Sequence, residues 1–339
     1  MQSAGRRNVV DLALQSMGMA SVAVRSRAQV LERLRRNDAV FRWVTRLAAL
    51  SVLVILGGVL FALFIGALPA IKQFGFSFFY VEQWNPVTER FGALAPIYGT
   101  LLTSFIAMLI AIPVGLLIAM FLTELCPMPL RRPIGICIEL LAGIPSIIYG
   151  IWGLFVFAPF LQQTLQPFLI NTLGEIPFIG NLFAGPPYGI GVLTAGLILA
   201  IMVLPFITSI SRDVFAAVPP VLKEAAYGLG CTTWEVARYV VLPYTRVGVI
   251  GGVMLALGRA LGETMAVTFV IGNAHRIAAS ILAPGTTISA TIANEFTEAV
   301  GDLYTSSLIA LGLILFLITF IVLAAARYML MRVERRLGA

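Results

Sequence analysis

Six apolar stretches, near residues 42–68, 98–123, 134–160, 188–211, 247–272 and 304–326, constrain this chain more than any other feature. A helix needs about 20 residues to cross roughly 30 Å of hydrocarbon at about 1.5 Å per residue, and a backbone in lipid must satisfy its own hydrogen bonds. Regular stretches of this length, each carrying glycines, fit helices; the strands of a membrane barrel are shorter and alternate in polarity. Composition agrees: 59% of the 339 residues are hydrophobic and 12% are charged, too little polar surface to coat a water-soluble globule. A soluble enzyme, a disordered scaffold and a secreted disulfide framework are excluded. The expected fold is an all-α membrane protein with six transmembrane helices, kinked or briefly broken at Pro113, Pro145, Pro159 and Pro205.

The formal charge of +7 comes from residues that flank the apolar stretches, the pattern that orients a membrane protein, so no nucleic-acid partner is expected. With the N-terminus inside, the cytoplasmic side carries 19 Lys and Arg: nine at the N-terminal end, four at the C-terminal end, and Arg131, Arg132, Arg212, Lys223, Arg238 and Arg246. The outside carries Lys72, Arg90 and Arg276, while Arg259 falls within the fifth stretch. Both termini therefore read as cytoplasmic, with Gln83, Gln166 and Asn294 outside. The chain divides into a basic cytoplasmic tail at 1–41, a first transmembrane helix at 42–68, an extracytoplasmic loop at 69–97, a five-span region at 98–326 and a basic cytoplasmic tail at 327–339. Arg6, Arg7, Arg25, Arg27, Arg33, Arg35 and Arg36 read as a partly ordered tail held at anionic headgroups, or as an amphipathic surface helix. Cys126, Cys137 and Cys231 are scattered and His275 is the single histidine, so neither a metal site nor a cofactor is expected.

The longest cytoplasmic connection, 212–246, reads as helix, turn, helix. Pro219 and Pro220 suit a first helical turn, Gly230 breaks the segment, and Thr232 or Thr233 caps a second helix. A short exposed helix with small residues on one face fits a groove in another protein. No Lys follows a Gly in the manner of a phosphate-cradling loop, since Lys72 and Lys223 do not, so any ATP hydrolysis belongs to a partner.

Within this connection, Glu224, Ala225 and Ala226 are followed after three residues by Gly230, and after nine more by Val240, Leu242 and Pro243. That spacing resembles the EAA signature of ABC-importer permeases, with Val240 in place of the usual Ile. From about residue 92 onward, segments such as GALAPIYGTLLTSFIAMLIAIPVG, IELLAGIPSIIYGIWGLFVFAP and LGRALGETMAVTFVIGN are similar to PstC-type permeases of phosphate ABC importers. The resemblance implies a type I ABC importer permease fold over 98–326, in a bacterial cytoplasmic (inner) membrane. It implies that Glu224, Ala225, Ala226, Gly230, Leu242 and Pro243 couple the permease to the ATPase. It also implies a PstA-type second permease, a PstB-type ATPase dimer, a PstS-type extracytoplasmic phosphate-binding protein, and inorganic phosphate as the transported ion.

Independently of that resemblance, Arg259 and Glu263 stand four residues apart within an apolar stretch, hence on one face of a continuous helix. From a start near 247 they lie about 18 and 24 Å into the membrane. Each ionisable residue there costs about 2.5–3.5 kcal/mol, so both are expected to face protein or water. The guanidinium fork matches a tetrahedral oxyanion, and the carboxylate either pairs with it or accepts a hydrogen bond from a protonated phosphate; an internal ion pair that never meets substrate is the other reading. Glu139 reads as a snorkelling or capping residue, and GTTISATIANEFTEA as a short helix with Glu295 and Glu298 on its surface. Residues 161–187 read as a loop outside the membrane. Two other functions compete with the permease: a secondary transporter driven by an ion gradient, which needs no docking helix, and a membrane enzyme, for which clustered catalytic residues are missing.

Overall fold

The computed structural model describes residues 3–177 and 180–336, and among them regular structure is almost entirely helical, the one pairing of extended backbone being a bridge between Asn85 and Arg90. The chain forms two compact units, Met1–Ala62 and Leu63–Ala339. Helix α1 runs Ser3–Phe74 without a boundary at residue 41. In the first unit, the side chains of residues 1–33, and with them most of the arginine run expected at headgroups, lie outside the described residues. From Leu34 on, nearly every side chain is exposed, including Phe41, Trp43, Val54 and Phe61. An apolar helix with no packed face holds together only where lipid or another apolar surface solvates it.

In the second unit, α2 (Ser77–Tyr80) precedes α3 (Leu94–Met120), which a π turn at Phe121–Leu125 extends, and then α4 (Met128–Gly143). Helix α5 (Ser146–Trp152) passes through a π turn into α6 (Ala158–Gln163) and α7 (Leu165–Leu173). After α8 (Val192–Ala216) come α9 (Pro220–Gly228) and α10 (Thr233–Val236), the latter joined by a π turn to α11 (Leu242–Gly262). Short helices α12 (Met265–Val270) and α13 (Ile288–Glu295) lead to α14 (Asp302–Arg336). Among the described residues, six helical runs are long and apolar enough to cross a membrane: Leu34–Phe74, Leu94–Leu125, Ser146–Leu173, Val192–Ala216, Thr233–Gly262 and Asp302–Arg332.

Helices α3 and α8 form the centre. Lipid is as apolar as a leucine side chain, so helices associate there through close packing and small residues. Gly196 sits against Ile106 and Gly115 against Ile207, where an added methyl group would meet side-chain carbons at 2.7 and 2.9 Å. Around this seam Met108, Ile198, Met202, Ile207, Ala256 and Val270 are buried together. Helix α3 also defines two ends of the unit. At its C-terminal end Glu124 meets Lys223 of α9; near its N-terminus Gly99 carries the carbonyl of Thr286, which an added Cβ would approach to 1.8 Å. These are called the loop end and the far end.

Of the four prolines expected to bend helices, Pro113 and Pro205 sit within uninterrupted α3 and α8, and Pro159 lies in the first turn of α6. Pro145 does break the stretch 134–160: Ile144 before it is extended (φ −70°, ψ 128°), as a residue preceding proline prefers. The stretch 247–272 is broken too, at Glu263, with φ −69° and ψ 128°. Here the cause is tertiary: Ser289 of α13 donates its hydroxyl to the Glu263 carbonyl at 2.8 Å, satisfying an acceptor the helix would otherwise use. Just beyond the two breaks α5 and α12 pack directly, Gly150 against Phe269 and Ala266. The stretch 161–187, expected as a loop, is helical to Leu173, with Phe178 and Ile179 outside the described residues. Gln166, expected outside and accessible, is fully buried; its Oε1 accepts the Gly189 N–H at 2.9 Å and its Nε2 donates to the Gly189 carbonyl at 3.3 Å.

Candidate functional site

At the loop end, Pro219 caps α9 and Pro220 opens it, so neither lost N–H is missed. Gly230 then takes φ +88°, a left-handed conformation that L side chains resist, and reverses the chain. Thr232, of the two threonines considered, is the cap of α10. Its Oγ1 accepts the Glu235 N–H at 3.3 Å while Glu235 Oε2 accepts the Thr232 N–H at 2.7 Å. Of the EAA residues, Ala226 is buried with Phe215, Val218, Val236 and Val241, whereas Glu224, Ala225, Gly230 and Pro243 are exposed and Leu242 is half-buried. The surface so formed is more apolar than the motif alone implies: Val221 and Leu229 are 71% and 86% exposed, and Trp234 and Tyr227 also face outward.

Among the described residues, one ion pair ties α9 to the end of the α3 run. Lys223 Nζ lies 2.5 Å from Glu124 Oε1, and their side chains are only 18% and 7% exposed. Glu124 lies on the π turn that ends the α3 run, a widened turn of the kind often found at functional positions. Sequence reasoning missed this contact, since 99 residues separate its partners. Nearby, Glu139 accepts a hydrogen bond from Arg212 at 2.7 Å and ties α4 to α8.

The break at Glu263 separates the two intramembrane charges. Arg259 remains on α11, exposed, with its guanidinium carbon 4.5 Å from the centre of the Phe206 ring of α8. Glu263 follows the helix end, and its Oε1 accepts the Ala266 N–H at 3.5 Å. The two are therefore not on one continuous helical face. Among the described residues no carboxylate lies within 4.0 Å of Arg259, so the internal ion pair does not form. A permanently charged guanidinium stacked on an aromatic face keeps its donors free for an anion.

The far end gathers charge differently. Glu295 is not a surface residue of α13: Trp84 Nε1 donates to its Oε2 at 2.6 Å, Tyr304 Oη donates to the same oxygen at 2.8 Å, and His275 Nε2 lies 2.8 Å from Oε1. Trp84 stacks on His275 with centroids 5.4 Å apart, and Phe91 stacks on Tyr304 at 5.0 Å. Burial pushes the Glu295 pKa up, but the hydrogen bonds from His275, Tyr304 and Trp84 outweigh it and hold the carboxyl below its ordinary value. Glu298 is exposed, as expected. No group of three or more His, Cys, Asp or Glu residues that could hold a metal ion occurs among the described residues.

Residues 111–335 match the family described as binding-protein-dependent transport system inner membrane component. The chain is 71% identical over 318 residues to a Mesorhizobium japonicum protein named phosphate transport system permease protein PstC, covering 94% of this chain and 97% of that one. It is 56% identical over 301 residues to a protein of the same name from Pasteurella multocida, covering 89% and 94%. In fold it is similar to a chain of a bacterial alginate ABC transporter solved in complex with an alginate pentasaccharide-bound periplasmic protein. The TM-score there is 0.58 at 17% identity, over 86% of this chain and 95% of that chain.

Proposed function

This chain belongs to the binding-protein-dependent transport permeases, and within them to the PstC-type phosphate permeases; from that premise we propose how its two sites divide the work of import. The protein is a membrane permease subunit of an ATP-driven importer of inorganic phosphate, not favoured as a gradient-driven carrier. In our reading it forms half of the pathway beside a PstA-type permease, above a PstB-type ATPase dimer and below a PstS-type phosphate-binding protein. It sits in a bacterial inner membrane with both termini inside, as the basic-residue asymmetry favours.

The observation that carries the division is the free guanidinium of Arg259. A charge exposed on a lipid-facing helix costs several kcal/mol, so this face of α11 meets protein or water in the assembled transporter, and a second permease supplies both. There the Arg259 fork takes two oxygens of phosphate. Glu263, at the helix break between α11 and α12, accepts a hydrogen bond from the P–O–H that hydrogen phosphate still carries and sulfate lacks. At the loop end Glu224, Ala225, Ala226 and Gly230 enter a cleft of the ATPase, and Leu242 and Pro243 carry its closure into α11.

Two experiments test this. Purification in mild detergent should recover all four proteins, and reconstituted vesicles should take up phosphate only with ATP and loaded binding protein; uptake driven by an ion gradient alone would defeat the reading. Arg259→Gln should stop uptake in an assembled complex, Arg259→Lys should recover little because a point charge cannot reproduce the planar fork, and Glu263→Gln should lose discrimination against sulfate. Wild-type uptake by Arg259→Leu/Glu263→Leu would remove both residues from the path.

A further inference from the structure

The far end holds a second free guanidinium, and its loop is built to present it. Between Gly272 and Ala283 the chain leaves α12 through two left-handed residues, Gly272 (φ +91°) and Asn273 (φ +52°). The neighbours of Arg276 are then each pinned by a carboxylate: His275 by Glu295 at 2.8 Å, and the Ile277 N–H by Glu82 Oε1 at 2.6 Å. The Arg276 N–H closes a tight turn on the Ala274 carbonyl at 2.8 Å, and the Ala274 N–H donates to Gly285 at 2.9 Å. Both nearby acids are thus occupied by residues 275 and 277, and no described carboxylate lies within 4.0 Å of Arg276 itself.

Arg276 lines a cavity of about 330 Å³ together with Asn181, Tyr188 and Ser280. The Ile281 N–H, donating to Leu182 at 2.9 Å, ties the two walls together. Each of those four side chains offers a donor, and none of the lining residues is acidic. That is unusual for this end of the molecule, whose connections carry Glu82, Glu89, Glu175, Glu295, Glu298 and Asp302 against Lys72, Arg90 and Arg276. A donor-lined, acid-free cavity around an unpaired guanidinium selects a small anion, and the fork favours oxygens at tetrahedral spacing.

We propose that the Arg276 cavity binds the phosphate group of inorganic phosphate, holding the ion at the outer mouth before Arg259 receives it. The assignment rests on the phosphate-importer reading above, and on the orientation that puts the far end outside. A phospholipid headgroup offers the same chemistry, so the test separates the two sources. In the assembled transporter with native cysteines replaced, Ala279→Cys on the cavity wall is labelled with an anionic thiol reagent. Inorganic phosphate should slow labelling at least threefold with Arg276 present and not at all with Arg276→Gln, and Arg276→Gln should lower uptake at least tenfold. Protection by phosphatidic acid but not by inorganic phosphate would make the cavity a headgroup site and overturn the proposal, as would equal protection in both variants. Loss of binding-protein docking in Arg276→Gln would make the residue a docking contact and overturn it equally. If the Ala279→Cys complex that keeps Arg276 labels as expected but takes up no phosphate, and the parent complex takes up none either, the importer reading fails while the anion site stands.

Discussion

The two ends of the unit treat a carboxylate in opposite ways. At the far end Glu295 accepts from three side chains on three separate segments, Trp84, His275 and Tyr304, inside a stacked aromatic cluster. At the loop end Glu124 has one charged partner among the described residues, Lys223, while Val221 and Ala225 of α9 and Leu229 just after it face outward. Three converging donors over-determine a geometry; one ion pair between a helix end and a short surface helix transmits a pull without fixing either element. The far end is therefore the stiffer of the two, and the loop end the one whose short helix is less firmly held.

The largest effect that tests this difference comes from the far end. Glu295→Ala leaves three donors without an acceptor, each costing roughly 1–3 kcal/mol when it stays buried. The thermal midpoint in detergent should fall by many degrees, and Glu295→Gln, which keeps an acceptor oxygen, should fall less. A midpoint unchanged in Glu295→Ala would show that the aromatic stack alone holds the far end, and the contrast would collapse.

Next in size is Lys223→Met, which strands Glu124 in a mostly buried position; breaking such a pair costs roughly 3–5 kcal/mol. Because the pair joins α9 to the π turn at the very end of the α3 run, outside the seam between α3 and α8, the loss should appear as uncoupling. Loaded binding protein should still dock, but ATP hydrolysis should no longer drive uptake, while Lys223→Met/Glu124→Leu should regain stability without regaining coupling. If the double variant transports normally, the ion pair is only local packing.

What was legible in the sequence follows from how far apart the causes lie. The loop end was readable because Pro219, Pro220, Gly230 and Thr232 act on their immediate neighbours, and the Ile144 break was signalled by the adjacent Pro145. The break at Glu263 was not, because its cause is Ser289, 26 residues further on. For the same reason Glu295 was expected at the surface: the 211 residues between it and Trp84 leave no periodic trace. Residues 161–187 misled in another way, since Pro167 falls in the first turn of α7, where proline is tolerated and does not signal a loop.

A smaller effect is expected of Gly230→Ala. Space is open around the glycine, so the cost is the left-handed φ alone, about 1–2 kcal/mol. It falls on the turn between α9 and α10 and should weaken coupling severalfold without touching the far end. Ordinary insertion with normal coupling would mean that the turn tolerates a Cβ and that its glycine does not set the angle at which α9 is presented.

The smallest effect distinguishes the two ends by pH. The fold holds the Glu295 carboxyl below its ordinary value of about 4.3, because the donors from His275, Tyr304 and Trp84 outweigh the burial that opposes them. A carboxyl whose pKa is lower folded than unfolded adds stability above the unfolded value, and loses it as pH falls through the folded one. Between pH 8 and 5 the titration of Glu295 itself should therefore add nothing to the gap in thermal midpoint between the parent chain and Glu295→Gln. Only below about pH 4.3 should it narrow, as protons compete with the three donors for the same two oxygens. A gap that does not narrow below about pH 4.3 would mean that the hydrogen bonds of the far end do not favour the charged carboxylate. Because the donors arrive from the segment before α3, from the loop after α12 and from α14, acid should loosen all three together, whereas Gly230→Ala perturbs only the α9–α10 turn at the opposite end.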